Sequence, residues 1–555
     1  MNASFLWQRA KPFVRELVLI SIITMIGSAA LLAVPWLGGQ LLGGLAGDDT
    51  INLAQTLALL VIALVIMTAI NICVAILSEL ASGRILAGLR DEAYTHLQAL
   101  PVSFHDQNRS GDLLSLMTVE VSALASFLTS SLATLPSMLI TALGAMILLF
   151  ILDPAMALIV PVLIPVFIIM IRLLARPLHG LARRMRDANA ALMAMGESDL
   201  AMLPAIKAFA TEEHHRTRYL AAIENARVLR LAHARLNAFI GPVVTLIAAL
   251  AAIGILVALG SGIASGERSA SELFAFLLYA ALLTRPVGAL ASFYSQFQSA
   301  RGTMARLTEI FAEPAEPGYS RTATIARARG AVEFRNLRFA YPGRELVLDD
   351  INLAIAPGEI VALTGENGIG KSTLIRLLLR FYVPQSGQIL LDGQDIADCQ
   401  VQALRRQFGY VPQRPLLFNG SVRDNIAFGH PQPQDADIER AARLSEAWGF
   451  IGELPQGLDT EIGDHGVRLS GGQQQRIALA RALFRDPPIY ILDEATSMYD
   501  LDSEAAFVET CIEALKGRTV ILITHRPASL ALAHRVLEAS ASGYRDVTPA
   551  TLEAG

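Results

Sequence analysis

Charge is scarce in this chain. Only 17% of its 555 residues are Asp, Glu, Lys or Arg, against roughly 25% in ordinary soluble domains. Hydrophobic residues make up 53%, and the mean hydropathy is +0.45. Disorder requires low hydrophobicity and is excluded; a wholly soluble protein is also a poor fit. Cysteine is rarer still. Cys73, Cys399 and Cys511 stand far apart with no C-x-x-C spacing, so neither a disulfide framework nor a zinc site is supplied, and each reads as a small buried apolar residue. An excess of positive charge is missing too: a formal net charge of −5 leaves no basic footprint for nucleic acid. The length allows two or more domains.

What charge there is falls unevenly. Residues 57–77 (LALLVIALVIMTAINICVAIL) carry none, enough helix to cross roughly 30 Å of hydrocarbon at about 1.5 Å per residue. Comparable charge-free runs occupy 17–35, 121–152, 154–171 and 236–266, and a sixth, 273–300, is interrupted only by Arg285. A single such run would suit a buried core helix. Six within 300 residues leave no polar face to wrap a soluble core. Six membrane-spanning helices are expected, at about 17–36, 57–77, 131–152, 154–174, 236–260 and 273–300.

Lys and Arg set the orientation. Segments 1–16, 78–122 and 172–235 hold 3, 3 and 11 of them, while 37–56, 153 and 261–272 hold 0, 0 and 1. Positive charge stays on the cytoplasmic side, so the N-terminus and the end of the sixth helix are expected inside a plasma (inner) membrane. The third and fourth helices meet at Asp153-Pro154, a tight outer turn. The long inner segments are rich in Ala, Leu, Arg and Glu and read as helices continuing tens of Å into the cytoplasm.

Hydropathy and helical pattern break at Ala312–Gly330 (AEPAEPGYSRTATIARARG). The chain therefore divides into a membrane domain over 1–311, a linker over 312–330 and a C-terminal domain over 331–555. In the last, short apolar runs at 332–339, 359–364, 387–391, 488–492 and 519–523 alternate with helical segments. A mostly parallel sheet with flanking helices is expected.

The chemistry sits in this second domain. The strand EIVALT runs into Gly365-Glu366-Asn367-Gly368-Ile369-Gly370-Lys371-Ser372-Thr373 and then a helical LIRLLLR. This is G-x-x-x-x-G-K-S in the strand–loop–helix setting of a P-loop. Its glycines let backbone N–H groups wrap around phosphate, Lys371 neutralises the terminal phosphates, and Ser372 is placed to hold Mg²⁺. A glycine-rich structural turn is the bland alternative, and chance seldom gives it this octamer. Downstream, Ile489-Tyr490-Ile491-Leu492 is an apolar strand ending in Asp493-Glu494. Asp493 suits the surroundings of Mg²⁺ and Glu494 suits polarising an attacking water.

Residues 469–476 read Leu-Ser-Gly-Gly-Gln-Gln-Gln-Arg before an Ala-rich helix. This resembles the signature of ATP-binding-cassette ATPases, and the whole chain resembles a half-size ABC exporter: six spanning helices fused to one α/β P-loop ATPase domain. The resemblance implies that ATP and Mg²⁺ are bound and that ATP hydrolysis drives transport. It implies that Tyr341 stacks on adenine, that Gln413 touches Mg²⁺, and that His525 contacts the γ-phosphate. It further implies that Ser470, Gly471, Gly472 and Gln473 reach the nucleotide of a partner. Thr460–Gly466 resembles the exporter segment preceding the signature; Pro101–Asp112 and Leu203–Glu213 resemble the coupling turns that dock onto the ATPase.

One chain carries one ATPase domain, so the resemblance implies a dimer. Glu494, Ser470, Gly472 and His525 are all present, which favours a homodimer over a heterodimer with a degenerate half-transporter. The expected substrate is an amphipathic drug, lipid or peptide, exported or flipped. An exporter-fold importer, for siderophores for example, and a membrane-anchored regulatory ATPase would carry the same cytoplasmic motifs. Ser497-Met498-Tyr499-Asp500 departs from the family's usual Ser-Ala-Leu-Asp. Arg285, deep in the sixth run, is expected to face the cavity, either as a structural group or as an anchor for an anionic cargo.

Overall fold

The computed structural model describes residues 11–45, 52–108, 110–154, 159–264, 270–321, 325–463, 466–495, 515–540 and 543–548, with side chains over 155–179 and at many positions between 237 and 295 outside the description. Its contacts divide the chain into two units, Met1–Tyr94 with Leu113–Ala312, and Thr95–Asp112 with Glu313–Gly555.

The first unit is helical. Its helices are α1 (Val14–Leu45), α2 (Leu53–Ala99), α4 (Leu135–Leu152), α5 (Ile159–Ala201), α6 (Leu203–Ala208), α7 (Glu212–Ala264), α8 (Ala270–Leu282) and α9 (Thr284–Ala312); the short α3 (Val102–Gln107) belongs to the second unit. Among the described residues, three helices are long and apolar enough to cross a membrane: Val14–Leu45, Leu53–Ala99 and Gly111–Leu152. The other three expected spans coincide with α5, α7 and the α8–α9 pair, largely outside the described side chains. Apolar side chains on α2 such as Val61, Val65 and Ile72 are exposed. That suits a surface solvated by hydrocarbon, where leaving such groups outside costs nothing. Cys73 is exposed on the same helix, not buried as expected; Cys399 is buried and Cys511 lies outside the described residues.

Two helices differ from the simple expectation. The third is already helical from Ser110, and it reaches α4 through two wide π-type turns at Leu116–Glu120 and Phe127–Leu132. Thr129 and Ser130 hydroxyls bond the carbonyls of Ala125 and Ser126 there, the local competition that loosens a helix. The sixth is broken between Leu282 and Thr284. Pro286 has no N–H to donate to the carbonyl of Leu282, so the ladder ends there. Elsewhere the packing is close. Tyr279, 1% exposed, donates its hydroxyl to Leu32 O at 2.8 Å, joining α8 to α1. The 53 residues of α7 make a rod of roughly 80 Å, far longer than a bilayer core. His215 Nδ1 meets Asp199 Oδ1 at 2.8 Å, tying α7 to α5 near their shared end.

The second unit contains β1 (Val332–Ala340), β2 (Leu346–Ile355), β3 (Ile360–Thr364), β4 (Ser386–Leu391), β5 (Gln394–Asp395), β6 (Phe408–Val411), β7 (Gly420–Ser421), β8 (Glu461–Ile462), β9 (Ile489–Asp493), β10 (Thr519–Ile523), β11 (Arg535–Ser540) and β12 (Gly543–Asp546). Six strands form one sheet in the order β12-β11-β3-β10-β9-β6, parallel from β11 to β6. Here β9 and β10 are buried at every position, as parallel strands covered on both faces must be. Contrary to a single mostly parallel sheet, 332–339 and 387–391 belong to a second, antiparallel sheet ordered β2-β1-β4-β5. Apolar Val332, Phe334, Leu337 and Phe339 are buried along β1 while Arg335, Asn336 and Arg338 are exposed, the pattern of a sheet covered on one face. Glu316 and Pro317, in the expected linker, pack on this unit. Glu316, 6% exposed, pairs with Arg405, and Pro317 O accepts from Arg380 Nη2 at 2.5 Å.

Candidate functional site

Strand β3 is bonded on both sides, to β10 and β11, which fixes where its last residue points. At Gly365 the chain turns away with φ +125; a Cβ there would lie 2.7 Å from Ala539 O. Gly370, with φ +104, would put a Cβ 2.7 Å from Leu348 Cδ2. Both positions need a residue free of a side chain. Between them the loop closes, and α10 (Lys371–Leu378) begins.

Lys371 is folded over its own loop. Its Nζ donates to Gly365 O at 2.7 Å and to Glu366 O at 2.8 Å. Burial pulls its pKa down, opposed by the carboxylates of Glu494 and Asp493. A cation so placed, bonded to two loop carbonyls at a helix N-terminus, is chemically able to pair with phosphate oxygens in their place.

The acids arrive on β9. Asp493 is 6% exposed; burial raises its pKa, the adjacent Glu494 raises it further, and a hydrogen bond from Ser372 opposes the rise. A buried carboxylate beside a serine hydroxyl is a partial oxygen set for Mg²⁺, which favours one or two protein ligands completed by phosphate and water. Among the described residues no group of three or more His, Cys, Asp or Glu is placed to hold a metal alone.

Glu494 takes a left-handed backbone, φ +49, and its N–H is held by Ile523 O at 2.9 Å. Such a conformation is uncommon for a non-glycine residue and clusters at functional sites. It carries the carboxylate off the strand. There Gln413 Nε2 donates to Oε2 at 2.5 Å and His525 Nε2 lies 3.2 Å from Oε1. Residues 413, 494 and 525 thus meet at one carboxylate beside the P-loop. Gln475, on α11 (Gly471–Phe484), donates to Glu494 O at 3.4 Å, a contact that nothing in its motif marks out.

Tyr341 reaches the loop from the other sheet. Its hydroxyl is 3.1 Å from Thr373 Oγ1, and Arg376 also bonds to it. Its ring meets Phe339 and Tyr382 edge-on, with centroids 4.9 and 5.0 Å apart. Tyr382 in turn donates to Asp106 Oδ2 at 2.5 Å, on α3. Burial, with Asp106 adding to it, pushes the Tyr382 phenol up to about 12, so it keeps its proton and donates. Asp106 lies in the expected coupling turn, but the pairing joins positions 276 apart in sequence and no local pattern announces it.

Ser470 caps α11: its Oγ accepts from Gln473 N at 3.3 Å, and Gln473 Oε1 accepts from Ser470 N at 2.9 Å. Among the described residues no hydrogen bond joins Ser470, Gly471 or Gly472 to the P-loop. The segment at Thr460–Gly466 pairs through β8 with β7; its Asp464 and His465, and Ser497-Met498-Tyr499-Asp500, lie outside the described residues. Arg285 falls at the start of α9, its side chain outside the description.

Both halves of the chain have known relatives. Residues 17–287 match the family described as the ABC transporter transmembrane region, and 348–497 match the family described as ABC transporter. An ATP-dependent lipid A-core flippase of Pectobacterium atrosepticum is 34% identical over 82% of this chain and 78% of its own length. A protein of the same description from Escherichia coli is 32% identical over 96% of this chain and 92% of its own. A solved structure, that of a bacterial Atm1-family ABC exporter with ATP bound, superposes with a TM-score of 0.85 at 27% identity, covering 96% of this chain and 95% of that one.

Proposed function

Because the chain belongs to the ABC transporter family, we propose that it flips an amphipathic lipid across the plasma (inner) membrane as a homodimer, its membrane domain over 1–311 driven through a linker at 312–330 by the ATPase domain at 331–555. ATP hydrolysis coupled to transport follows from the family; lipid as cargo is favoured by the flippase relatives, the dimer by the chemistry of the site. One observation carries the reading. Glu494 is held at the mouth of the P-loop by both Gln413 and His525, in a chain whose other half is apolar helix.

The roles follow from placement. Tyr341 stacks on adenine, and Gly365, Glu366, Asn367, Gly368, Ile369 and Gly370 present backbone N–H groups to the phosphates. Lys371 and Thr373 line the same loop. Ser372, Gln413 and Asp493 would hold Mg²⁺, which supplies charge neutralisation between the terminal phosphates. Glu494 orients the attacking water, and His525 contacts the γ-phosphate. Ser470, Gly471, Gly472 and Gln473 cap the nucleotide of the other copy, which is why two chains are needed. ATP stabilises the closed pair more than the open one, and this difference is the work available to move cargo.

The test is vectorial. In sealed vesicles with the ATPase outward, a fluorescent lipid should change leaflet only with ATP and Mg²⁺, and Glu494→Gln should abolish the movement while retaining ATP binding. Movement that persists without ATP, or at full rate in Glu494→Gln, would overturn the proposal.

A further inference from the structure

Glu494 keeps its left-handed backbone, φ +49, just beyond the last residue of β9. A side chain makes that conformation costly, and it persists only where the surroundings over-determine it. Several elements hold this residue. Its N–H donates to Ile523 O on β10 at 2.9 Å, and its carboxylate meets Gln413 and His525. The carbonyl is left. It stands one residue past Asp493, where β9 ends, and among the described residues its hydrogen-bond donor is the side-chain amide of Gln475, at 3.4 Å.

Gln475 is out of character with its surroundings. Seven side chains of α11 are buried, and the other six, Ile477, Ala478, Leu479, Ala480, Ala482 and Leu483, are apolar. All six share one core cluster with Leu492 of β9 and with Ala495. Gln475 itself is 1% exposed. A buried amide costs free energy unless it is bonded, whereas a methionine of similar length would fill the place without that demand. What the amide adds is an N–H aimed at Glu494 O. The bond is longer than the usual N–H···O of about 2.9 Å, so its worth to overall stability is small and its worth to direction is larger. With the carbonyl released, the backbone at 494 relaxes toward the extended range, and the carboxylate then follows the alternation of the strand.

We infer that Gln475 is a positioning residue for ATP hydrolysis: it holds the peptide that follows Glu494 and so keeps the carboxylate where it orients the attacking water. The inference rests on the role proposed for Glu494 and adds a residue of α11 to it. Gln475 acts through the backbone of Glu494 and not on the nucleotide. Its loss therefore belongs in kcat, with ATP binding spared.

The experiment measures phosphate release by the full chain in phosphatidylcholine nanodiscs over a range of ATP concentrations with Mg²⁺. Sites are counted with a fluorescent ATP analogue, so that misfolded protein does not enter the rate. Gln475→Met and Gln475→Leu both remove the donor and suit an apolar core. Each should lower kcat per site by about tenfold, the worth of one hydrogen bond, while KM for ATP and affinity for the analogue stay within about twofold of wild type. In a Glu494→Gln background Gln475→Met should remove little more, since the charge it positions is already gone. Wild-type kcat per site in both variants would overturn the inference, as would a full further tenfold loss in the Glu494→Gln background. A raised KM with kcat kept, or loss of analogue binding in both variants, would show that Gln475 only supports α11, and would overturn it too. Wild-type turnover in Glu494→Gln alone is a separate failure, that of the role of Glu494, and takes the inference with it.

Discussion

Gln413 Nε2 and Glu494 Oε2 lie 2.5 Å apart across 81 positions of sequence. An amide donating to a carboxylate is a charge-assisted bond, stronger than a neutral one, and with His525 at the other oxygen the carboxylate is oriented from two sides. The left-handed backbone of Glu494 sets this up, since an extended residue at the end of β9 would send its side chain along the strand's alternation.

Two substitutions separate chemistry from positioning. Glu494→Gln keeps shape and the bond to Gln413 but removes the charge, so phosphate release should fall by about 10²-fold or more with ATP still bound. Gln413→Ala keeps the charge but removes one partner of Glu494 together with a proposed Mg²⁺ ligand; a loss of at least roughly tenfold is expected, the worth of one hydrogen bond setting its lower bound. Lys371→Ala should weaken nucleotide binding itself. Phosphate release and fluorescent-nucleotide titration on the three variants check the order, and wild-type turnover in Gln413→Ala would sink the positioning role.

Much of the ATPase fold was legible because its strands are continuous apolar runs. The run at 519–523 is β10 residue for residue, and 359–364 and 488–492 each fall within one residue of β3 and β9. The P-loop residues were legible for a different reason: the spacing of their glycines leaves the backbone few options. What stayed hidden was long-range. That β1 and β4 leave the parallel sheet for an antiparallel one depends on β1–β2 pairing, which period alone does not reveal. In the membrane half, absence of charge located the spans but not the π turns at Leu116–Glu120 or the break at Leu283, which depend on single Ser, Thr and Pro residues. No local signal marked Tyr382 with Asp106 or Arg405 with Glu316.

Tyr382 and Asp106 connect the nucleotide loop to the end of α2 through Tyr341, Thr373 and α3. Tyr382→Phe deletes one hydroxyl and leaves the ring in place. The expected loss of stability is small, about 1 kcal/mol. Basal ATP turnover should persist while lipid-stimulated turnover falls toward the basal level, because α3, the short helix that follows α2 in the chain, has lost its bond to Tyr382. Parallel assays with and without lipid check this, and full stimulation in the variant would show that the bond transmits nothing.

The pair between Arg405 and Glu316 has a structural task. Arg405 Nη1 donates to Glu316 Oε2 at 2.9 Å, its other nitrogens serve Leu379 O and Arg380 O at 3.0 and 3.1 Å, and Glu316 is buried. Removing one member leaves a buried charge alone, so Arg405→Met should destabilise the protein by roughly 3 kcal/mol. Adding Glu316→Leu should restore part of that loss, since a buried pair is often replaceable by apolar residues. Thermal unfolding of the single and double variants measures both, and a double variant less stable than Arg405→Met would contradict the account.

The partnership of two copies can be tested through shared sites. If each nucleotide lies between one chain's P-loop and the other's signature, Lys371→Ala disables the first and Gly472→Asp the second. A dimer of either variant alone has no intact site. A mixed pair has one, because the Gly472→Asp chain still supplies a normal Lys371 and the Lys371→Ala chain a normal Gly472. Co-expressed in equal amounts, the two inactive variants should recover about a quarter of wild-type ATP turnover by random pairing of a two-fold symmetric dimer, if its sites work independently. Purification through tags on both chains should raise the recovered specific activity, since only mixed pairs are retained. Two variants that stay silent when paired in this way would place the signature and the P-loop in separate sites, and the homodimer would lose its chemical reason.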